Sequence, residues 1–149
     1  VAEEELDWLN RSWHRLLPWQ DTVPGLTRLR TLCPIAPVSN GNLALMTHLA
    51  RYAALPWDVI LGAEVAQAYK PMPEAYIRSA AALTLAPSQC MMVAAHNNDL
   101  HAAREAGLLT AFVPRPLEHG PGQTLDLVPD AEWDLIAHDF IDLAEQLGA

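Results

Sequence analysis

Four short apolar runs, separated by segments of helical spacing, constrain the fold of this chain more than any other feature. They fall at residues 33–38, 59–61, 91–95 and 109–113, and none alternates apolar with polar residues. A strand with one wet face shows a period of two, whereas a strand covered on both faces reads as a continuous apolar run. Short buried strands alternating with helices predict a parallel sheet between two helical layers, an α/β fold.

The helices are read from period and capping. Leu6, Leu9, Trp13, Leu16 and Leu17 share a face over 3–17, where Pro18 stops the helix. A second helix is expected over 24–32 with Leu26 and Leu29 inward, and a third runs from Asn42, a capping residue, to 55, with Leu45, Leu49 and Tyr52 on one face. Pro71 and Pro73 flank the start of a helix reaching 85, and Gly107 closes one over 100–106. Trp133, Ile136, Phe140, Leu143 and Leu147 predict a C-terminal helix over 131–147, and 124–128 reads as a further extended piece. Ligands collect at the carboxyl ends of parallel strands. That rule points to Ser39-Asn40-Gly41-Asn42 and to the expected turn His96-Asn97-Asn98-Asp99.

Composition narrows the function classes. A chain of 149 residues buries roughly two thirds of its unfolded surface. With 51% apolar residues and five tryptophans, it is one folded domain rather than a disordered segment. Nine Lys+Arg against 18 Asp+Glu leave a charge of -9, which repels nucleic-acid phosphates and anionic membranes and favours a small-molecule partner. The apolar stretches fall far short of the roughly 20 residues of a membrane helix, and the start is acidic, so a cytoplasmic protein is expected. Cys33 and Cys90 lie inside apolar runs and are expected to be buried, reduced thiols.

Three polar elements stand out. Ser39-Asn40-Gly41 alone is a common strand-ending turn, Lys70-Pro71 alone is a solvated lysine before a helix, and Asp99 alone is a helix cap. Yet eight of the nine cations are arginine and Lys70 is the only lysine, a compact ammonium where a guanidinium fork is otherwise the rule. In this order and spacing, with Tyr76 six residues after Lys70, these elements resemble motifs two, three and four of the haloacid dehalogenase superfamily. The type II branch, the 2-haloacid dehalogenases, is the nearer match. The stretch 92–116, MVAAHNNDLHAAREAGLLTAFVPRP, resembles that branch's fourth motif and the strand after it.

The resemblance implies a Rossmann-like three-layer α/β/α core with a parallel sheet over 20–149, and a remnant of a helical cap or hinge helix over 1–19. It implies a two-step displacement in which an Asp carboxylate attacks the halogen-bearing carbon of a small haloacid and water then hydrolyses the ester. Lys70, Asp99, Ser39 and Tyr76 would be the catalytic residues, with Lys70 pairing with the nucleophile and Asp99 and Tyr76 holding Lys70. Asn40, Gly41, His96 and Asn97 would bind substrate. No cofactor and no metal are expected, because phosphatases of the superfamily carry an acid where this chain has Ala95, and Mg²⁺ needs more than one carboxylate. A homodimer is expected.

Two departures qualify the match. Ala94, Ala95 and His96 replace the family's small hydroxyl residues and Asn, leaving His96 as a substitute donor or a structural residue. The family's nucleophile lies a few residues before a Gly-Thr at the end of the first strand, and none of Asp7, Asp21, Asp58, Asp99, Asp126, Asp130, Asp134, Asp139 or Asp142 has that setting. The expectation is a core without its first strand and most of its cap, which leaves two unpaired strand edges. The alternatives are a catalytically inactive binding module of the same fold and a phosphatase-like hydrolase. The other histidines, His14, His48, His101, His119 and His138, show no ligand spacing.

Overall fold

The computed structural model describes residues 2–149. In chain order the elements are α1 Glu3–Asn10, α2 Thr22–Leu29, β1 Val38–Ser39, α3 Leu43–Tyr52, β2 Leu61–Gly62, α4 Ala63–Ala66, α5 Pro73–Ala82, β3 Met91–Ala94, α6 Asn97–Glu105, β4 Leu109–Phe112, β5 Leu135–Ile136 and α7 Phe140–Leu147. All strand pairs are parallel. β1 pairs with β2 in one sheet, and β3-β4-β5 form a second.

Alternation along the central strands explains the layering, because successive side chains leave a strand on opposite faces. Ala111 and Val113 face Leu26, Leu29, Leu143 and Ala144 of α2 and α7. Phe112 and Met92 face Ala75, Tyr76, Leu100 and Ala103 of α5 and α6. The sheet is therefore covered on both sides, as its continuous apolar runs require. α2 and α7 approach so closely that a Cβ on Gly25 would stand 2.4 Å from the Phe140 Cβ.

Local chemistry fixes the boundaries. The Asn42 side chain accepts from the Leu45 amide at the start of α3, and Asp139 accepts from the Asp142 amide at the start of α7. Pro73 opens α5. Gly62, with φ +126°, crosses so near β1 that a Cβ would sit 2.2 Å from the Ser39 carbonyl oxygen.

Several sequence expectations are corrected. The helix over 131–147 is a strand followed by a helix. Residues 135–136 pair with β4, the Ala137 amide donates to the Phe112 carbonyl at 3.0 Å, and Asp139 caps a fresh start. Apolar spacing of three and four served both the strand edge and the helix. Residues 124–128 form no strand, since Asp126 has φ +56°. The first two strands shrink to 38–39 and 61–62, and α6 begins at Asn97 instead of after a turn. The N-terminal helix ends at Asn10 and continues as a 3₁₀ turn, Arg11–Arg15, with Leu6, Leu9, Trp13 and Leu17 all exposed. Cys33 is exposed, and both thiols are free. Among the described residues no helix is long and apolar enough to cross a membrane.

Candidate active site

The carboxyl end of β1 runs into the Ser39-Asn40-Gly41 turn, in which the Gly41 amide donates to Ser39 Oγ at 2.9 Å. That bond occupies an acceptor position of the hydroxyl and leaves its proton free to donate. Asn40 projects from the turn and grips the Lys70 peptide at both ends. Its Oδ1 accepts from the Lys70 amide at 2.7 Å, and its Nδ2 donates to the Lys70 carbonyl at 3.0 Å. A residue thirty positions distant thus holds the backbone of the only lysine.

Lys70 Nζ donates to Asp99 Oδ2 at 2.5 Å, the two side chains being 20% and 13% exposed. The Tyr76 hydroxyl donates to Asp99 Oδ1, also at 2.5 Å. Asp99 lies in the first turn of α6, and Tyr76 is a buried residue of α5, so the triad joins the helices on one face of the sheet to the loop before α5. Burial and then the adjacent Asp99 carboxylate push the Tyr76 phenol well above its ordinary value of 10.0, which keeps it a donor at any working pH. With one of three ammonium protons given to Asp99, Lys70 retains two for an anion at the sheet edge. A fixed cation beside a carboxyl edge can bind a substrate carboxylate or stabilise charge that develops during displacement.

The other expected substrate contacts divide. His96 stands at the N-cap of α6, but its ring does not cap the helix; its Nε2 lies 3.0 Å from Glu118 Oε2. Asn97, expected to bind substrate, braces the loop before β5 with its amide. Its Nδ2 donates to Asp126 Oδ1 and the Val128 carbonyl, while its Oδ1 accepts from the Asp130 amide and the Trp133 indole. All four hydrogen-bonding positions of the amide are used, which leaves none for a ligand. Gly41 has its amide committed to Ser39, and a Cβ there would stand 3.1 Å from Leu45 Cδ2.

Two groupings escaped the sequence reading. His14 Nδ1 and His48 Nδ1 meet at 2.9 Å beside a cavity of about 610 Å³ lined by Arg11, Arg15, Arg51 and Tyr52, away from the Lys70 triad. His96, Glu118 and His119 gather at the mouth of the second sheet. The signal for the second was present: adjacent parallel strands bring the segments after β3 and β4 to the same edge, whatever their separation in sequence.

Residues 1–107 match the model of the haloacid dehalogenase-like hydrolase family. The whole chain superposes on a defluorinating L-2-haloacid dehalogenase with a TM-score of 0.97 at 52% identity, covering 61% of that protein. A second L-2-haloacid dehalogenase gives 0.96 at 49% identity, with 99% of this chain and 63% of that one covered. The enzyme of Xanthobacter autotrophicus with chloropropionic acid covalently bound shares the fold, with a TM-score of 0.83 at 21% identity over 99% of this chain and 67% of that one. A phosphoglycolate phosphatase of Neisseria meningitidis serogroup A is 31% identical over 99 residues, which are 64% of this chain and 42% of that protein. The chain therefore spans about three fifths of the length of the first two dehalogenases and less than half of the phosphatase.

Proposed function

Since the chain belongs to the haloacid dehalogenase-like hydrolase family, we propose that it is the larger part of a 2-haloacid dehalogenase, which cleaves the carbon–halogen bond of a small 2-haloacid without a metal. The observation that carries this reading is the Lys70–Asp99–Tyr76 triad at the sheet's carboxyl edge, its lysine clamped by Asn40. Identity of 52% to a defluorinating dehalogenase across the whole chain supports it.

In this reading a carboxylate from the length that the relatives have beyond this chain attacks the halogen-bearing carbon. Halide leaves with the bonding pair and an ester forms. Water then adds to the ester carbonyl; collapse breaks the ester C–O bond, one proton of the water goes to the departing oxygen of the 2-hydroxy acid, and the other passes to solvent as the carboxylate is regenerated. Lys70 pairs with the attacking carboxylate, and Asp99 and Tyr76 keep its ammonium aimed at the edge. Ser39, with its free proton, donates to the nucleophile or to the substrate carboxylate. A strand carrying that nucleophile would lie between β1 and β3, which do not pair with each other.

A second reading, a Mg²⁺-dependent phosphatase, is favoured by the phosphoglycolate phosphatase match. Against it, Ala95 stands where such enzymes place an acid, and Asp99 is already held by Lys70 and Tyr76. The test is halide release from L-2-chloropropionate and fluoroacetate, run beside phosphate release from phosphoglycolate with Mg²⁺. It uses the product of the reading frame extended upstream of Val1. Halide release that survives EDTA supports the proposal; phosphate release that depends on Mg²⁺, with no halide, contradicts it.

A further inference from the structure

Parallel pairing of β3 with β4 sets the segments that follow them side by side. His96 comes from the first, Glu118 and His119 from the second. The second segment is a tied turn: the Glu118 amide donates to the Arg115 carbonyl, the Gly120 amide to the Leu117 carbonyl and the His119 amide to Gln123 Oε1. Its two side chains are thus presented toward His96 from a fixed backbone. His96 Nε2 and Glu118 Oε2 are 3.0 Å apart, and the His96 and His119 rings stack with centroids 6.5 Å apart and 15° between planes. One ligand atom from each of the three residues lies within 4.8 Å of the others.

We propose that His96, Glu118 and His119 form a binding site for a divalent transition-metal ion of the zinc class. Two imidazoles and one carboxylate suit a borderline ion such as Zn²⁺, whereas Mg²⁺ and Ca²⁺ take oxygen donors. With bonds of about 2.1 Å, a tetrahedral ion keeps its ligand atoms about 3.4 Å apart. The His96–Glu118 pair is already that close, and the widest separation, at most 4.8 Å, closes by about 1.4 Å through rotation of exposed side chains. Three protein ligands leave a fourth position for water or an anion. The site differs from the Mg²⁺ position of a phosphatase, which would use Asp99 and the place of Ala95, neither of which is in this set. An ion here would fix His96 against Glu118 and His119 and join the segments after β3 and β4.

The experiment titrates the folded protein at neutral pH with Co²⁺, read by visible absorption, and with Zn²⁺, read by competition with a chromophoric chelator. One ion per chain in the micromolar range is expected. Loss of an outer-shell partner alone costs roughly 10–100-fold in metal affinity, so His96→Ala and His119→Ala should each weaken binding by at least about tenfold. His101→Ala, whose ring faces Asp130, should bind as the parent does. Folding does not confound the comparison, because the His96 side chain caps nothing and His119 is exposed; metal-free melting curves of the variants check this. Saturation only at millimolar Zn²⁺ overturns the proposal. So does tight binding that survives the combined His96→Ala and His119→Ala variant, or binding that survives His96→Ala and disappears in His14→Ala.

Discussion

Replacing Tyr76 by phenylalanine removes one oxygen from a side chain that is 1% exposed and leaves its packing against Met92, Leu100 and Phe112 intact. What is lost is the 2.5 Å hydrogen bond to Asp99 Oδ1. A bond to a charged acceptor contributes about 1.5–3 kcal/mol net. Asp99 keeps its Lys70 partner and is 13% exposed, so water replaces part of the loss; about 1.5–2 kcal/mol remains. At about 2–4 °C per kcal/mol for a chain of this size, the melting temperature should fall by about 3–8 °C. A second readout isolates the hydroxyl itself. Tyr76 stays protonated well above 10.0, so the amplitude of the rise in tyrosinate absorbance of the folded protein should contain no contribution from it. In Tyr76→Phe that amplitude should not change. The linkage has a definite sign: because the folded phenol titrates above 10.0, its contribution is full below the unfolded pKa and is lost as pH rises through the folded one. A smaller tyrosinate amplitude in folded Tyr76→Phe than in the parent, or an unchanged melting temperature, would refute the reasoning.

Other substitutions probe the scaffold that holds the triad. Gly62→Ala combines φ +126° with a Cβ 2.2 Å from the Ser39 carbonyl; it should cost on the order of 3 kcal/mol in urea unfolding and displace the Ser39 turn. Asp21 accepts both terminal nitrogens of Arg115 at 2.8 Å and the Phe140 amide at 2.9 Å, each side chain of the pair being 12% exposed. Asp21→Asn should destabilise by about 2–4 kcal/mol, near the lower end for a buried pair because some solvent remains. Burial alone would raise the Asp21 pKa, but the bonds from Arg115 and Phe140 outweigh it and lower it below 3.8. The gap between parent and Asp21→Asn should therefore hold at neutral pH and close as the pH falls below about 4 through the folded pKa. Asn97→Ala should release 126–133, seen as faster amide exchange at Asp130, with the triad unchanged.

The parts of the fold that were legible are those whose local pattern and tertiary role agree. β3, α6 and β4 combine a continuous apolar run, a helix and a terminating Gly107, and a second apolar run, so position alone places Asp99 at the ligand edge. The residues around 135 were misread because Leu135 and Ile136 satisfy a helical register and a strand edge equally, and only the presence of β4 decides. Cys33 opens an apolar run of which only Val38 enters a strand, so the cysteine emerges on the surface. The partners of Asn40 and Asn97 lie about 30 residues away. No spacing rule reveals that two amides at the carboxyl ends of strands spend themselves on the backbone of Lys70 and on the loop before β5.

The proposed function assigns to Lys70, held by Asn40, Asp99 and Tyr76, the charge that assists displacement of halide. Steady-state halide release by the full-length protein carrying Lys70→Arg tests it most directly, because the substitution keeps the charge but not the compact ammonium that fits beside Asp99. Loss of one preorganised electrostatic contact predicts a fall in kcat on the order of 10² to 10³ with little change in KM. Turnover near that of the parent would mean that Lys70 is an ordinary edge cation and that the triad does not carry the chemistry.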